Sequence, residues 1–200
     1  MTHGFVINED NSHYFGTRGI DGANETAMRA LARNYCRGQA VEVVYNLNAQ
    51  RSSVAGLPFE PIWDEVEDRG GEGLFYRGKP VPAHFANWLR CAKKAHDLGL
   101  NPYEIWLDET RKLGRRACIS IRMNDIHCVD DEESFFHSRF WRQHPEFHRE
   151  QGGLFHGWDS AALDYSHQEV RDYAFRMVKA VLERYDMDGL ELDWMRFGHS

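Results

Sequence analysis

Short, strand-like apolar runs alternate along this chain with amphipathic helical stretches, and the two kinds of join between them differ sharply in length. Helix-to-strand joins take only a few residues: Gly38 to Ala40, Gly114-Arg115 and Asp186-Met187. Strand-to-helix joins are long: Glu9 to Ala23, Ala49 to Val81 and Asp125 to Tyr165. Such alternation builds a parallel sheet, because a crossover through a helix brings the chain back to the same end of the sheet. In parallel α/β folds the ligand sits outside the carboxyl ends of the strands, in the strand-to-helix loops. The long joins therefore mark the functional edge before any residue type is weighed.

Four units follow from the periodicity. A strand at Phe5-Val6-Ile7 leads to a helix from about Asn24 to Cys36, with Asn24 as N-cap. The run from Val41 to Asn48 places Val43, Tyr45 and Leu47 on one face and Glu42, Val44, Asn46 and Asn48 on the other. Pro82 to Leu98 carries a stripe of Phe85, Trp88, Leu89, Ala92 and Ala95 and ends at Gly99; a second helix spans Pro102 to Leu113. A third strand, Arg116 to Asn124, sends Ile119, Ile121 and Met123 one way and Cys118, Ser120, Arg122 and Asn124 the other. Ser166-His167-Gln168-Glu169 reads as a capping box opening a helix whose apolar face is Val170, Ala174, Met177, Val178, Val181, Leu182 and Tyr185. The fourth strand, Asp188 to Met195, turns Leu190, Leu192 and Trp194 to one side and Gly189, Glu191, Asp193 and Met195 to the other. The expected class is α/β with parallel strands and long βα loops, in one domain over residues 1–200.

Composition narrows the function classes. A hydrophobic fraction of 42% with 13% aromatics suits a packed core. The net charge of −7 is spread along the chain with no Lys/Arg block, so nucleic acid is not an expected partner. No stretch approaches the roughly 18 apolar residues of a membrane helix, and Met1-Thr2-His3-Gly4 does not read as a leader, so no membrane partner is expected and the compartment stays open. Cys36, Cys91, Cys118 and Cys128 are too widely spaced for a zinc ribbon or redox pair and read as reduced thiols, with Cys91 and Cys118 buried. His127, His137, His144, His148 and His156 crowd the third loop, yet His144 and His148 lack the HExxH order; they read as loop histidines, and no metal or cofactor is expected.

The segment Leu163-Asp164-Tyr165-Ser166-His167-Gln168-Glu169-Val170-Arg171, continued by Tyr185-Asp186-Met187-Asp188-Gly189-Leu190-Glu191-Leu192-Asp193-Trp194-Met195-Arg196, resembles the glycoside-hydrolase-like barrel families. The resemblance covers about residues 162–197 and fades before them. It implies a TIM (β/α)8 barrel, a carbohydrate substrate and a strand-four carboxylate, here Asp193, acting as nucleophile or oxocarbenium stabiliser. Such a barrel has eight strands and typically about 250 residues. The four units are thus expected to be the N-terminal half of the barrel, whose remaining half lies elsewhere in a longer protein; the rival expectation is four βα units that persist alone as an open or dimerising half-barrel.

The residues support a carbohydrate site independently of that resemblance. Glycoside hydrolysis needs two carboxyl groups, one protonated and one ionised. Glu191 and Asp193 share a strand face roughly 6.5 to 7 Å apart, with Asp193 nearer the carboxyl end. Glu191, one layer deeper, suits the role of partner to an arginine such as Arg122. Asp10, His13, Asn46, Asn48, Arg122, Asn124 and Arg196 are the expected hydroxyl contacts, joined at the mouth by Glu9 and Asp125, and Trp141 and Trp158 the expected sugar platforms. A non-catalytic carbohydrate-binding barrel and a metal-dependent hydrolase on the same scaffold are the rival readings.

Overall fold

The structure is a computed structural model that describes residues 4–149 and 161–194. It begins with β1 (Phe5–Glu9), the short helix α1 (His13–Arg18), α2 (Glu25–Tyr35) and β2 (Ala40–Asn46). The second loop then folds into a small antiparallel sheet of β3 (Val66–Asp68), β4 (Leu74–Tyr76) and β5 (Lys79–Pro80) before α3 (Ala83–Asp97) and α4 (Pro102–Lys112). Next come β6 (Arg116–Arg122), the loop helix α5 (Arg139–Gln143), α6 (Gln168–Arg184) and β7 (Gly189–Asp193).

The four long-range strands pair side by side in the order β1-β2-β6-β7, every pair parallel. The register sets Tyr45 beside Ile119, and Arg122 beside Asp193. Because side chains alternate, this register commits each strand to one polar and one apolar face. On the apolar face Val43, Tyr45, Leu47, Ile119 and Ile121 are fully buried beneath the helices. Trp106 of α4 stacks on Tyr45 at 5.3 Å, and Tyr14 and Tyr103 meet Trp106 edge-on at 5.2 and 5.1 Å. Such pairs add about 0.5–1.5 kcal/mol each beyond the burial of their area. Tyr45 and Tyr103 satisfy their hydroxyls at Thr110 (2.8 Å) and at the Asn46 carbonyl (2.9 Å), which makes two buried phenols tolerable in this core.

The opposite face is concave. Asn8 on β1 donates to Glu191 on β7 at 3.3 Å, although the two strands stand at opposite edges of the sheet. In a flat sheet they would lie three spacings of about 4.8 Å apart, roughly 14 Å, with side chains pointing in parallel. The two side chains can meet only if the sheet curls so that this face converges.

Local chemistry accounts for the element ends. Asn24 caps α2 by accepting from the Ala27 amide at 2.8 Å, and Asn101 caps α4 from the Tyr103 amide at 3.2 Å. After α3, Gly99 takes φ +72 while its amide bonds to His96 and that of Leu100 to Ala95, the paired bonds of a Schellman turn. The capping box at Ser166 does not form. Asp164 captures the Ser166 amide at 2.8 Å, so the helix starts one residue later with His167 as an N-cap that makes no side-chain bond. The apolar face of α6 is also narrower than its sequence suggests, since Leu182 is exposed while Val170, Ala174, Met177 and Val181 are buried. All four cysteines are free thiols; Cys36, Cys91 and Cys118 are buried. Among the described residues no helix is long and apolar enough to cross a membrane.

Candidate functional site

On the concave face the register sets Asn46, Ser120 and Glu191 side by side in one layer and Arg122 beside Asp193 in the next toward the carboxyl ends, with Asn48 just beyond β2; Asn8, which pairs with Val44, lies one layer deeper, and Asp10 follows it on the same face beyond β1. In the inner layer Glu191 accepts from Ser120 Oγ at 2.7 Å and from Asn8 at 3.3 Å. The expected partnership of Glu191 with Arg122 is therefore replaced: the short serine directly across the strand pair meets it first.

Arg122 turns the other way and organises the rim. It is 6% exposed and donates to Asp10, to Asn11 Oδ1 at 3.4 Å and to Asp125 at 3.3 Å. Asp125 is wholly enclosed and takes three further bonds from His127, one from its amide at 3.0 Å and two from Nδ1 at 2.9 Å. Burial alone would raise the Asp125 pKa, but the His127 hydrogen bonds and the charges of His127 and Arg122 outweigh it, and the carboxyl is held below its ordinary range. Asp10 behaves alike: burial pushes it up, while Arg122 and the Ser12 amide and hydroxyl bring it down on balance. Asp10, Arg122, Asp125 and His127 thus form one ionic chain from β1 to the loop after β6.

The remaining sequence-picked residues divide. Asn48 is 1% exposed, and its amide is occupied by the β6 backbone, accepting from the Arg122 N–H at 3.0 Å and donating to the Arg122 carbonyl at 3.1 Å. It fastens the chain beyond β2 to β6 and has no free edge for a sugar. Asn124 donates to the Leu163 carbonyl at 3.0 Å and ties the third loop down. Asn46 donates weakly to Ser120 O at 3.4 Å, while its Oδ1 is buried without a partner among the described residues. Asn11 Nδ2 and Arg122 Nε are in the same state, so three buried polar atoms near the mouth stand ready for water or a hydroxylated ligand. Asp193 is half-buried, and its backbone carbonyl accepts from Met123 at 3.0 Å.

His13 lies outside this constellation. Its Nδ1 meets Glu9 at 3.0 Å, and Glu9, expected at the mouth, follows Ile7 onto the helix face, where the Tyr35 hydroxyl donates to it. Trp141 offers no platform: it is 3% exposed, with the rings of His137 and His148 stacked on it at 3.7 and 4.2 Å. Trp158 and Arg196 lie outside the described residues. Sequence reasoning passed over Asn11, one residue beyond Asp10, and treated His127 as one of a crowd; its position two residues after Asp125 was the available signal. Among the described residues no group of three or more His, Cys, Asp or Glu side chains is arranged to hold a metal ion.

No family model and no curated protein sequence matches the chain. Among solved structures it is similar to the galactosidase domain of alpha-galactosidase-sucrose kinase AgaSK, with a TM-score of 0.43 and 20% identity over 95% of this chain and 21% of that one. An uncharacterised protein from Listeria monocytogenes EGD-e matches with a TM-score of 0.44 and 11% identity, over 96% of this chain and 16% of that one. The chain therefore spans about a fifth or less of the length of these structures.

Proposed function

We propose that the chain is one side of a (β/α)8 barrel that hydrolyses glycosidic bonds through an oxocarbenium-like transition state, with Asp193 as nucleophile or charge stabiliser. The observation that carries this reading is the pair Glu191 and Asp193 on the concave face of a curled parallel sheet, Asp193 at its carboxyl edge. Support also comes from the resemblance of residues 162–197 to glycoside-hydrolase-like barrels and from the partnerless polar atoms of Asn11, Asn46 and Arg122 at the same edge. Glu191, fixed by Ser120 and Asn8, holds the layer beneath the reacting carbon. The outer edges of β1 and β7 pair with no strand among the described residues, and Val6 and Leu192 are 60% and 45% exposed, which suits further barrel strands in the longer protein. The general acid would come from one of those strands.

The test is hydrolysis of a glycoside panel by the intact protein and by Asp193→Asn. The expected result is cleavage of at least one glycoside and a loss of about 10³-fold or more in kcat on substitution. Undiminished turnover in Asp193→Asn removes Asp193 from the chemistry. An intact protein that binds glycans and cleaves none is a binding barrel instead.

A further inference from the structure

A recess of about 160 Å³ lies between the second and third strand-to-helix loops, formed by β4, β5 and the start of α3 on one side and by residues 128–135 on the other. Both loops leave carboxyl ends of the parallel strands, so the recess belongs to the same rim as the carboxylates, yet it shares no residue with the chain of Asp10, Arg122, Asp125 and His127. We infer that this recess is a second carbohydrate subsite, taking a single uncharged pyranose ring.

The walls set the ligand's body. Phe85 and Phe135 meet edge to face at 5.2 Å in the wall, and Tyr76 joins them. Tyr76 is 2% exposed, and its hydroxyl has no hydrogen-bond partner among the described residues. A space of about 150 Å³ is on the scale of one six-membered ring. The rim sets the ligand's polarity. Lys79, Asp131 and Glu133 are all exposed there, and neither Lys79 nor Glu133 forms an ion pair among the described residues. An ammonium and two carboxylates at one mouth ask for a partner that both accepts and donates without net charge, which is the chemistry of sugar hydroxyls. Of the three wall rings only Phe85 is half-buried, and it is the one that can meet the C–H face of the same ring. A phosphate-bearing ligand would face Asp131 and Glu133. An organic cation would face Lys79.

The inference goes beyond the reading of the strand-end site and does not need Asp193 to be reactive. Methyl glucopyranoside, methyl galactopyranoside and methyl mannopyranoside would be titrated to about 50 mM into the intact protein by NMR, a range chosen because a single-ring ligand on so small a site binds in the millimolar regime. The variants are Glu133→Gln and Lys79→Met, both at exposed positions where folding is not at stake, together with Asp193→Asn. Saturable binding of at least one pyranoside, weakened fivefold or more in Glu133→Gln or Lys79→Met and kept in Asp193→Asn, is the expected result. Absence of saturable binding overturns the subsite. So does binding that both rim variants leave unchanged and Asp193→Asn abolishes, which would place the sugar at the strand ends alone. Tighter binding of tetramethylammonium than of any pyranoside overturns it in favour of a cation site. A subsite that binds sugar in a protein that cleaves nothing refutes the hydrolase reading and leaves this one standing.

Discussion

Replacing Arg122 by Met should cost about 3 kcal/mol, a value that follows from how unequal its partners are. Removing one member of a buried pair costs about 3–5 kcal/mol, because the other charge stays buried and unbalanced. Arg122 is 6% exposed and the Asp125 side chain is fully enclosed, so this arm falls under that rule. The Asp10 arm does not: Asp10 is 41% exposed, and water screens it to about 0–1 kcal/mol. Asp125 also keeps its His127 bonds, which places the total at the low end. Urea unfolding at neutral pH reads the loss as a lower midpoint at constant slope.

The pH dependence tests the cause. The Asp125 pKa is depressed in the folded protein, so its ionised form contributes stability above the unfolded carboxylate value of about 3.9, and this is lost as pH falls through the folded value. In Arg122→Met burial, the largest influence and an upward one, remains while one of the downward influences is gone, so the folded pKa rises. Protonation then relieves the unpaired charge. The deficit of the variant should therefore be largest near pH 7 and shrink toward pH 4. A deficit below about 1 kcal/mol, or one that stays constant across that range, refutes the assignment of Asp125 as a buried ion held by Arg122.

Three further outcomes follow from single contacts. Asn48→Ala should lower stability by about 1–3 kcal/mol in urea titration, because it strips a buried clamp from the Arg122 backbone, and should do so whether or not a sugar is present. Asn24→Ala should cost about 1 kcal/mol through the lost cap on Ala27, read as a lower thermal midpoint. The pKa of His137 is lowered by burial from 6.5 to about 4, so the folded state refuses a proton that the unfolded chain takes. Stability should fall by up to about 1.4 kcal/mol per pH unit between those two values, and His137→Gln should flatten that slope in thermal melts across the same range.

The parallel sheet was legible because its signals are local and redundant. Val43, Tyr45 and Leu47 alternate with Asn46 and Asn48, the α3 stripe recurs every three to four residues, and Gly99 stops the helix where a left-handed residue is needed. The small sheet of β3 to β5 was not legible. Its strands are two or three residues long, too short for a period, and the first two are joined through the glycines of residues 70–73, which read equally well as a flexible turn. At Ser166 two local rules competed. The Ser–Glu spacing of a capping box was present, but Asp164 lay two residues upstream, within reach of the same amide.

For the site, period two could say which residues share a face, and it could not say which of them meet. Glu191 and Arg122 lie on one face, yet the curl of the sheet hands Glu191 to Asn8 across the concavity and leaves Arg122 to Asp10, whose strand is adjacent to neither β6 nor β7. These partners are separated by 183 and 112 positions in the chain, so only closure of the fold pairs them. The same holds for Trp141. Nothing in Arg139–Gln143 distinguishes a ring offered to a sugar from one packed by His137 and His148, because an aromatic beside polar groups serves both ends. Residue type alone therefore overstates the number of ligand contacts. Asn48 and Trp141 are consumed by the scaffold, whereas Asn46 and Arg122 keep a buried atom without a partner. Since a buried polar atom left unsatisfied carries a standing cost, these two, with Asn11, are where the strand ends can still form a hydrogen bond, Asn46 Oδ1 by accepting and Arg122 Nε and Asn11 Nδ2 by donating.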